Sequence, residues 1–128
     1  GKAPKECKIV IMGMTFKENC PDIRNSKVDD IIKRLKEYDI TPIVVDPWAS
    51  PKEAEKEYGV ILTEMTNVSD VDCIILAVSH DEFVKLTWEQ IGKMYKKDVP
   101  AKERVLIDVK GIKNLKEARE QGYRYWRL

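Results

Sequence analysis

The residues best suited to chemistry lie in one stretch, Gly13-Met14-Thr15-Phe16-Lys17-Glu18-Asn19-Cys20-Pro21-Asp22-Ile23-Arg24-Asn25-Ser26. It carries two cations, Lys17 and Arg24, just before a segment of helical periodicity. Cations beside the free N–H groups of a helix start suit an oxyanion, such as a phosphate or diphosphate. Phe16 offers a ring face for stacking or a wall beside a bound ring. The bland alternative puts Phe16 in the core and pairs Lys17 with Glu18 or Asp22 on the surface. A third cation, Lys110, follows a later apolar run in Asp108-Val109-Lys110-Gly111. Singly, Lys110 reads as a solvated loop lysine. Three cations expected at one edge of a sheet point to an anionic ligand.

Other polar residues make weaker cases. Asp46 precedes Pro47 and suits a strand-ending turn or a helix cap better than a ribose contact, because no glycine fingerprint accompanies it. His80, the sole histidine, is a candidate base, but no nucleophile or second metal ligand stands near it, so a loop or capping role is expected. Cys20 beside Lys17 and Arg24 would have a lowered pKa. With no base and no oxyanion hole it is not a nucleophile. Trp48, Trp88 and Trp126 read as packing residues. Neither a metal site nor a catalytic residue is expected in this chain.

The elements that must position these residues alternate in type. Cys7 to Gly13 is a β-branched apolar run and reads as a strand buried on both faces. Ser26 to Tyr38 reads as a helix, with Val28, Ile31, Ile32 and Leu35 on one face, Asn25 or Ser26 as its cap and Asp29 in its first turn. Thr41 to Pro47 is a second strand. Pro51 to Tyr58 is a short helix stopped by Gly59. Val60-Ile61-Leu62 is a third strand, Val68 to Val71 a helical turn, and Asp72 to Val78 a fourth strand. Asp81 to Leu86 and Thr87 to Lys96 are helical, the latter opened by a Thr87–Gln90 capping box. Arg104 to Val109 is a fifth strand, Leu115 to Gln121 a helix ended by Gly122, and Tyr123 to Leu128 an edge strand. The expected fold is α/β: a three-layer, Rossmann-like domain with a mostly parallel sheet of about six strands and helices on both faces. Ligands bind such sheets at the carboxyl ends of the strands, where Phe16, Lys17, Arg24 and Lys110 fall.

Composition narrows the function classes. The 128 residues fit one domain, 1–128, without an internal linker. Lys plus Arg against Asp plus Glu is 23 to 22. The signs balance, so no global field draws in nucleic acid or a membrane, and no apolar run reaches the ~20 residues of a membrane span. Three cysteines without a C-x-x-C pair suggest thiols in a reducing, cytoplasmic setting. Only Gly13 of a G-x-G-x-x-G loop is present, so the first turn is not a dinucleotide fingerprint. A phosphoacceptor receiver domain would use a Lys at the place of Lys110, but Gly13-Met14-Thr15 and Leu62-Thr63-Glu64 lack its acids.

The run from Gly13 to Ser26 closely resembles a signature of the UDP-glucose/GDP-mannose dehydrogenase family, at the start of its C-terminal, UDP-binding domain. Further likenesses follow in order: Val45-Asp46-Pro47-Trp48, Glu57-Tyr58-Gly59, Ala77-Val78-Ser79-His80 with Phe83, Leu106 to Gly111, and Tyr123 to Leu128. The version Asn19-Cys20-Pro21-Asp22-Ile23-Arg24-Asn25 looks most like the branch acting on UDP-N-acetylhexosamines. The resemblance implies an enzyme that oxidises C6 of a UDP-sugar to the uronic acid with NAD. It implies that Phe16, Lys17 and Lys110 contact the UDP-sugar, and that Arg24 reaches NAD across a domain cleft. NAD would be bound mainly by an N-terminal domain absent from this chain. A central region would dimerise, and the catalytic cysteine would lie elsewhere, since Cys7, Cys20 and Cys73 do not match it. The chain alone is then expected to be inactive. The alternative is a stand-alone, non-catalytic nucleotide-binding or interaction module.

Overall fold

Short apolar runs rich in Ile and Val become strands because both of their faces find cover. The computed structural model describes residues 6–24 and 26–127. In chain order the elements are β1 (Ile9–Met12), α1 (Val28–Glu37), β2 (Ile43–Val45), α2 (Pro51–Tyr58), β3 (Cys73–Leu76), α3 (Asp81–Val84), α4 (Trp88–Gly92), β4 (Val105–Asp108), α5 (Leu115–Glu120) and β5 (Arg124–Arg127). The sheet order is β2-β1-β3-β4-β5, and every pairing is parallel. The chain runs outward from β1 to β2, then returns past β1 to β3, so the order reverses between β1 and β3.

The period-two alternation of a strand splits the core into two layers. Val10, Met12, Ile74 and Leu76 face Phe83, Leu86 and Ile91, from α3, α4 and the loop between them. Ile11 and Ile75 face Val28 and Ile32 of α1 and Ala54 of α2. Val10, Ile11, Met12, Ile74, Leu76 and Leu106 are wholly buried. Each such side chain contributes roughly 1.5–3 kcal/mol of transfer free energy. The expected three-layer α/β architecture therefore stands.

Gly13 makes the turn out of β1 possible. Its φ is +106°, and a Cβ there would lie 2.6 Å from the Val78 Cβ. Only a residue without a side chain lets the first loop cross so close to the end of β3.

Several expectations need correction. The sheet has five strands among the described residues, not about six. Val60-Ile61-Leu62 touches β2 through a single bridge, Val44 with Leu62, and Ile61 stays exposed. The helical turn lies at Met65–Asn67, not Val68 to Val71. Val71 is held extended by pairing with the Met94–Lys96 backbone. That same pairing ends α4 at Gly92, short of Lys96. α1 starts at Val28, whose N–H donates to Ser26 Oγ at 3.2 Å. The N-cap position is Lys27, which makes no side-chain capping bond, so Ser26 supports the helix start from one residue further out, while Asn25 and Leu128 lie outside the described residues. The Thr87–Gln90 capping box and the Gly59 stop are both present. Trp126 is 62% exposed on edge strand β5 and is not a packing residue.

Candidate functional site

At the reversal of strand order, the carboxyl ends of β1, β3 and β4 and the start of α1 enclose a cleft of about 290 Å³. Phe16 and Thr15 come from the first loop, Lys27 and Val28 from the start of α1, and Lys110 from the turn after β4. Ala77 and Val78 floor it beyond β3. Phe16 is 59% exposed, so the core reading of this ring fails and its face is available to a ligand. Two ammonium groups, an exposed aromatic face and an apolar floor suit a ring-bearing anion.

The expected cations separate. Lys110 lines the cleft with Phe16; Lys17 and Arg24 do not. Arg24 lies in a neighbouring groove with Trp48, Glu53 and Lys56. Its guanidinium donates in a fork to Asp22, Nε to Oδ1 and Nη2 to Oδ2, each at 3.0 Å. That fork is the main reason the Asp22 carboxyl falls to about 2. Lys17 sits on the exposed tip of the first loop, where its carbonyl accepts from Thr15 Oγ1 at 2.9 Å. Lys27 joins the cleft instead. Its signal in the sequence was only its place beside the first helical residue.

The first loop is held from inside by a polar hub. Asp46, at the end of β2, accepts five donors. Oδ2 takes the N–H of Met14 at 2.7 Å, that of Thr15 at 3.1 Å and His80 Nε2 at 3.0 Å. Oδ1 takes the N–H of Trp48 at 2.8 Å and of Ala49 at 3.0 Å. Burial alone would raise this carboxyl; the bonds from His80, Met14 and Trp48 outweigh it and hold the group below the usual carboxylate range. Asp46 is therefore the strand-ending turn residue expected, and also the anchor of the first loop. His80 has no side-chain exposure and makes no capping bond to α3. Its Nδ1 accepts from the Asn19 N–H at 2.9 Å. Trp48 stacks on the ring with centroids 6.1 Å apart, and Phe83 tilts against it at 5.5 Å.

A second brace sets Lys110. Asp108, at the end of β4, accepts the N–H groups of Ile112 at 2.9 Å and Lys113 at 2.8 Å. Tyr125 of β5 donates its hydroxyl to the same carboxylate. Arg127 donates to the carbonyls of Gly111 at 2.9 Å and Lys113 at 3.0 Å. The Lys113 ammonium is turned inward onto the carbonyls of Leu86 and Val84. Burial lowers its pKa, against the pull of Asp108 and Glu117. Burial first, then the bond to Asp108, pushes Tyr125 up to about 12.

These residues do not form a dinucleotide site. The Asp46 oxygens that would hold a ribose are already filled, and Thr15 stands where a second loop glycine would let the backbone approach a pyrophosphate. No cluster of metal-ligating side chains occurs among the described residues, and no described helix is long and apolar enough to cross a membrane. Cys73 is buried, which pushes its thiol up to about 12 and makes it inert as a nucleophile.

Residues 10–114 match the family model described as the UDP-glucose/GDP-mannose dehydrogenase family, UDP binding domain. The chain belongs to that family. It is 46% identical over 103 residues to a UDP-N-acetyl-D-glucosamine 6-dehydrogenase of Pseudomonas aeruginosa, covering 80% of this chain and 23% of that protein. It is 38% identical to Protein CapL of Staphylococcus aureus, covering 92% of this chain and 26% of that protein. The domain thus spans about a quarter of the length of these relatives. Its fold is similar to that of the NDP-N-acetyl-D-galactosaminuronic acid dehydrogenase of Methanosarcina mazei Go1. The TM-score is 0.81 and the identity 21%, over 99% of this chain and 25% of the other.

Proposed function

We propose that this UDP binding domain holds the diphosphate of a UDP-sugar in the cleft between Phe16, Lys27 and Lys110. The observation that carries the proposal is the meeting of an exposed aromatic face with two ammonium groups at the point where the strand order reverses. The ammonium groups neutralise the diphosphate, and Phe16 walls the base or the sugar. Lys17, on the same loop tip, approaches the ligand from outside the cleft. The two braces keep the surfaces in place before the ligand arrives, which lowers the ordering cost of binding.

The chain is the C-terminal part of an NAD-dependent 6-dehydrogenase. That enzyme oxidises C6 of a UDP-N-acetylhexosamine to the uronic acid for polysaccharide synthesis in the cytoplasm. Likeness to the Pseudomonas and Staphylococcus proteins supports this reading. NAD belongs to an N-terminal domain, in keeping with the missing glycine fingerprint after β1. Arg24, exposed in its own groove, is the residue that meets NAD across the domain boundary. A homodimer forms through a central region. The isolated chain supplies a binding surface and no chemistry.

Calorimetric titration of UDP into this chain and its Lys110→Ala and Lys17→Ala variants tests the site. Losing a charge-assisted contact should cost ~1.5–3 kcal/mol, read as a weaker Kd. Equal affinity in the wild type and the Lys110→Ala variant would remove Lys110 from the site. NADH formation by this chain with any UDP-sugar would overturn the binding-domain reading.

A further inference from the structure

We propose that His80 is the positioning residue of the ligand-binding loop, clamping Thr15 and Asn19, the two residues that flank Phe16, Lys17 and Glu18. The ligand side of this inference rests on the UDP reading above; the clamp itself stands on geometry alone. A backbone N–H can only donate, so the bond from Asn19 N to Nδ1 makes Nδ1 an acceptor. The proton of the neutral ring then sits on Nε2, which donates to Asp46 Oδ2 at 3.0 Å and lies 3.1 Å from Thr15 Oγ1. Asp46 thereby selects the tautomer that Asn19 requires. The ring plane is fixed between Trp48 and Phe83. One wholly buried imidazole thus joins the loops after β1, β2 and β3.

The two ends of the clamp differ in strength. Thr15 is held a second time, by its N–H on Asp46 at 3.1 Å. Asn19 adopts a positive φ of 53°, a left-handed turn that asparagine tolerates better than most residues. Its backbone bond goes to His80, while its side chain exchanges two hydrogen bonds with Asp81 at the surface, at 3.0 and 3.1 Å. Loss of the Nδ1 acceptor therefore loosens the Asn19 end first, with Lys17 and Glu18 beside it, while the Phe16 N–H keeps its bond to the Asp22 carbonyl at 2.6 Å.

The test compares His80→Gln with His80→Asn. Glutamine reaches Asp46 with a donor but presents no acceptor to Asn19. Asparagine places an acceptor close to the Nδ1 position and leaves Asp46 one donor short. Ligand-free nitrogen NMR should show a bare Nδ1 and a protonated Nε2 in the wild type, with slow hydrogen exchange at the Asn19 amide. In His80→Gln, Asn19 protection is lost while the far-ultraviolet spectrum stays native. UDP affinity falls about tenfold if the competent loop population drops to roughly a tenth. In His80→Asn, both properties stay nearer the wild type. A protonated Nδ1 in the wild type overturns the proposal, and so does a His80→Gln variant with unchanged Asn19 protection or unchanged UDP affinity. If His80→Gln does not fold, the wild-type tautomer and the His80→Asn exchange pattern still decide it. If the wild type binds no UDP, the nucleotide reading fails, and tautomer and exchange decide the clamp separately.

Discussion

Asp46 and Phe16 lie next to the same loop, yet their loss should register in different measurements. Phe16 is 59% exposed and accepts little packing, so Phe16→Ala should leave the melting temperature nearly unchanged. Its effect falls on UDP affinity, by roughly 0.5–1.5 kcal/mol for a lost ring contact. Asp46 is the reverse case. Asp46→Asn keeps the shape but replaces an acceptor oxygen by an NH₂ group facing N–H donors. Each buried donor left without an acceptor costs about 1–3 kcal/mol. A loss of ~3 kcal/mol in urea-unfolding free energy is expected, with weaker UDP binding as the loop loosens. A fully stable Asp46→Asn variant would show that the hub is not what holds the first loop.

Two glycines with positive φ separate strain from crowding at the level of the elements. Gly59 ends α2 with φ 65° and open space around its missing Cβ. Gly59→Ala should cost only about 1 kcal/mol, the price of a left-handed alanine. Gly13→Ala meets the same kind of strain, and its methyl lies 2.6 Å from Val78 Cβ and 2.9 Å from the Val78 backbone nitrogen. Strain and overpacking together should cost ~3 kcal/mol or more. Thermal melts of the pair check this, and equal losses would refute the crowding argument. The glycine after β1 was visible in the sequence because it ends an apolar run, and β1, β3 and β4 were visible because burial on both faces leaves no polar alternation. Val60-Ile61-Leu62 looked like a strand for the same compositional reason. Its failure to become one depends on a single bridge to Val44, a long-range fact that local composition does not carry. The site divides in the same way. Phe16 and Lys110 could be found from their places after strands. The Asn19–His80–Asp46 links, 61 and 34 residues apart in sequence, join polar residues whose partners only the fold brings together. Arg24 was wrongly grouped with Lys110 because sequence spacing does not reveal that Asp22 turns it into another groove.

Across the whole molecule, the titrating groups bound stability from both sides of neutrality. On the acid side, Asp46 and Asp22 have folded pKa values below the usual carboxylate range, that of Asp22 near 2. As pH falls below about 4, the unfolded chain takes up these protons first. Their stabilisation is full above the unfolded pKa and is lost as pH falls through the folded one. Exposed Asp22 contributes little of this, so the acid limb should follow Asp46 and flatten in a folded Asp46→Asn variant. On the alkaline side, burial raises Cys73 and Tyr125 to about 12, and raises Tyr95 as well. Above pH ~9 the unfolded thiol and phenols lose protons that the folded state retains, so stability falls with rising pH. Lys113 opposes this, because its lowered pKa lets the folded chain shed a proton before the unfolded one does. Lys33, raised by its bond to Asp29, adds to the three, and the net is an alkaline decline. Tyr125→Phe removes one of the three together with its hydroxyl bonds to Asp108 and the Lys113 carbonyl. This variant should lose about 1 kcal/mol at pH 7 for a hydrogen bond, yet decline less steeply between pH ~9 and ~12. Urea unfolding across that range reads both effects. Identical alkaline slopes in Tyr125→Phe and the wild type would show that the fold does not hold the Tyr125 hydroxyl protonated, and an unchanged stability at pH 7 would show that the Asp108–Tyr125 bond does not stabilise it.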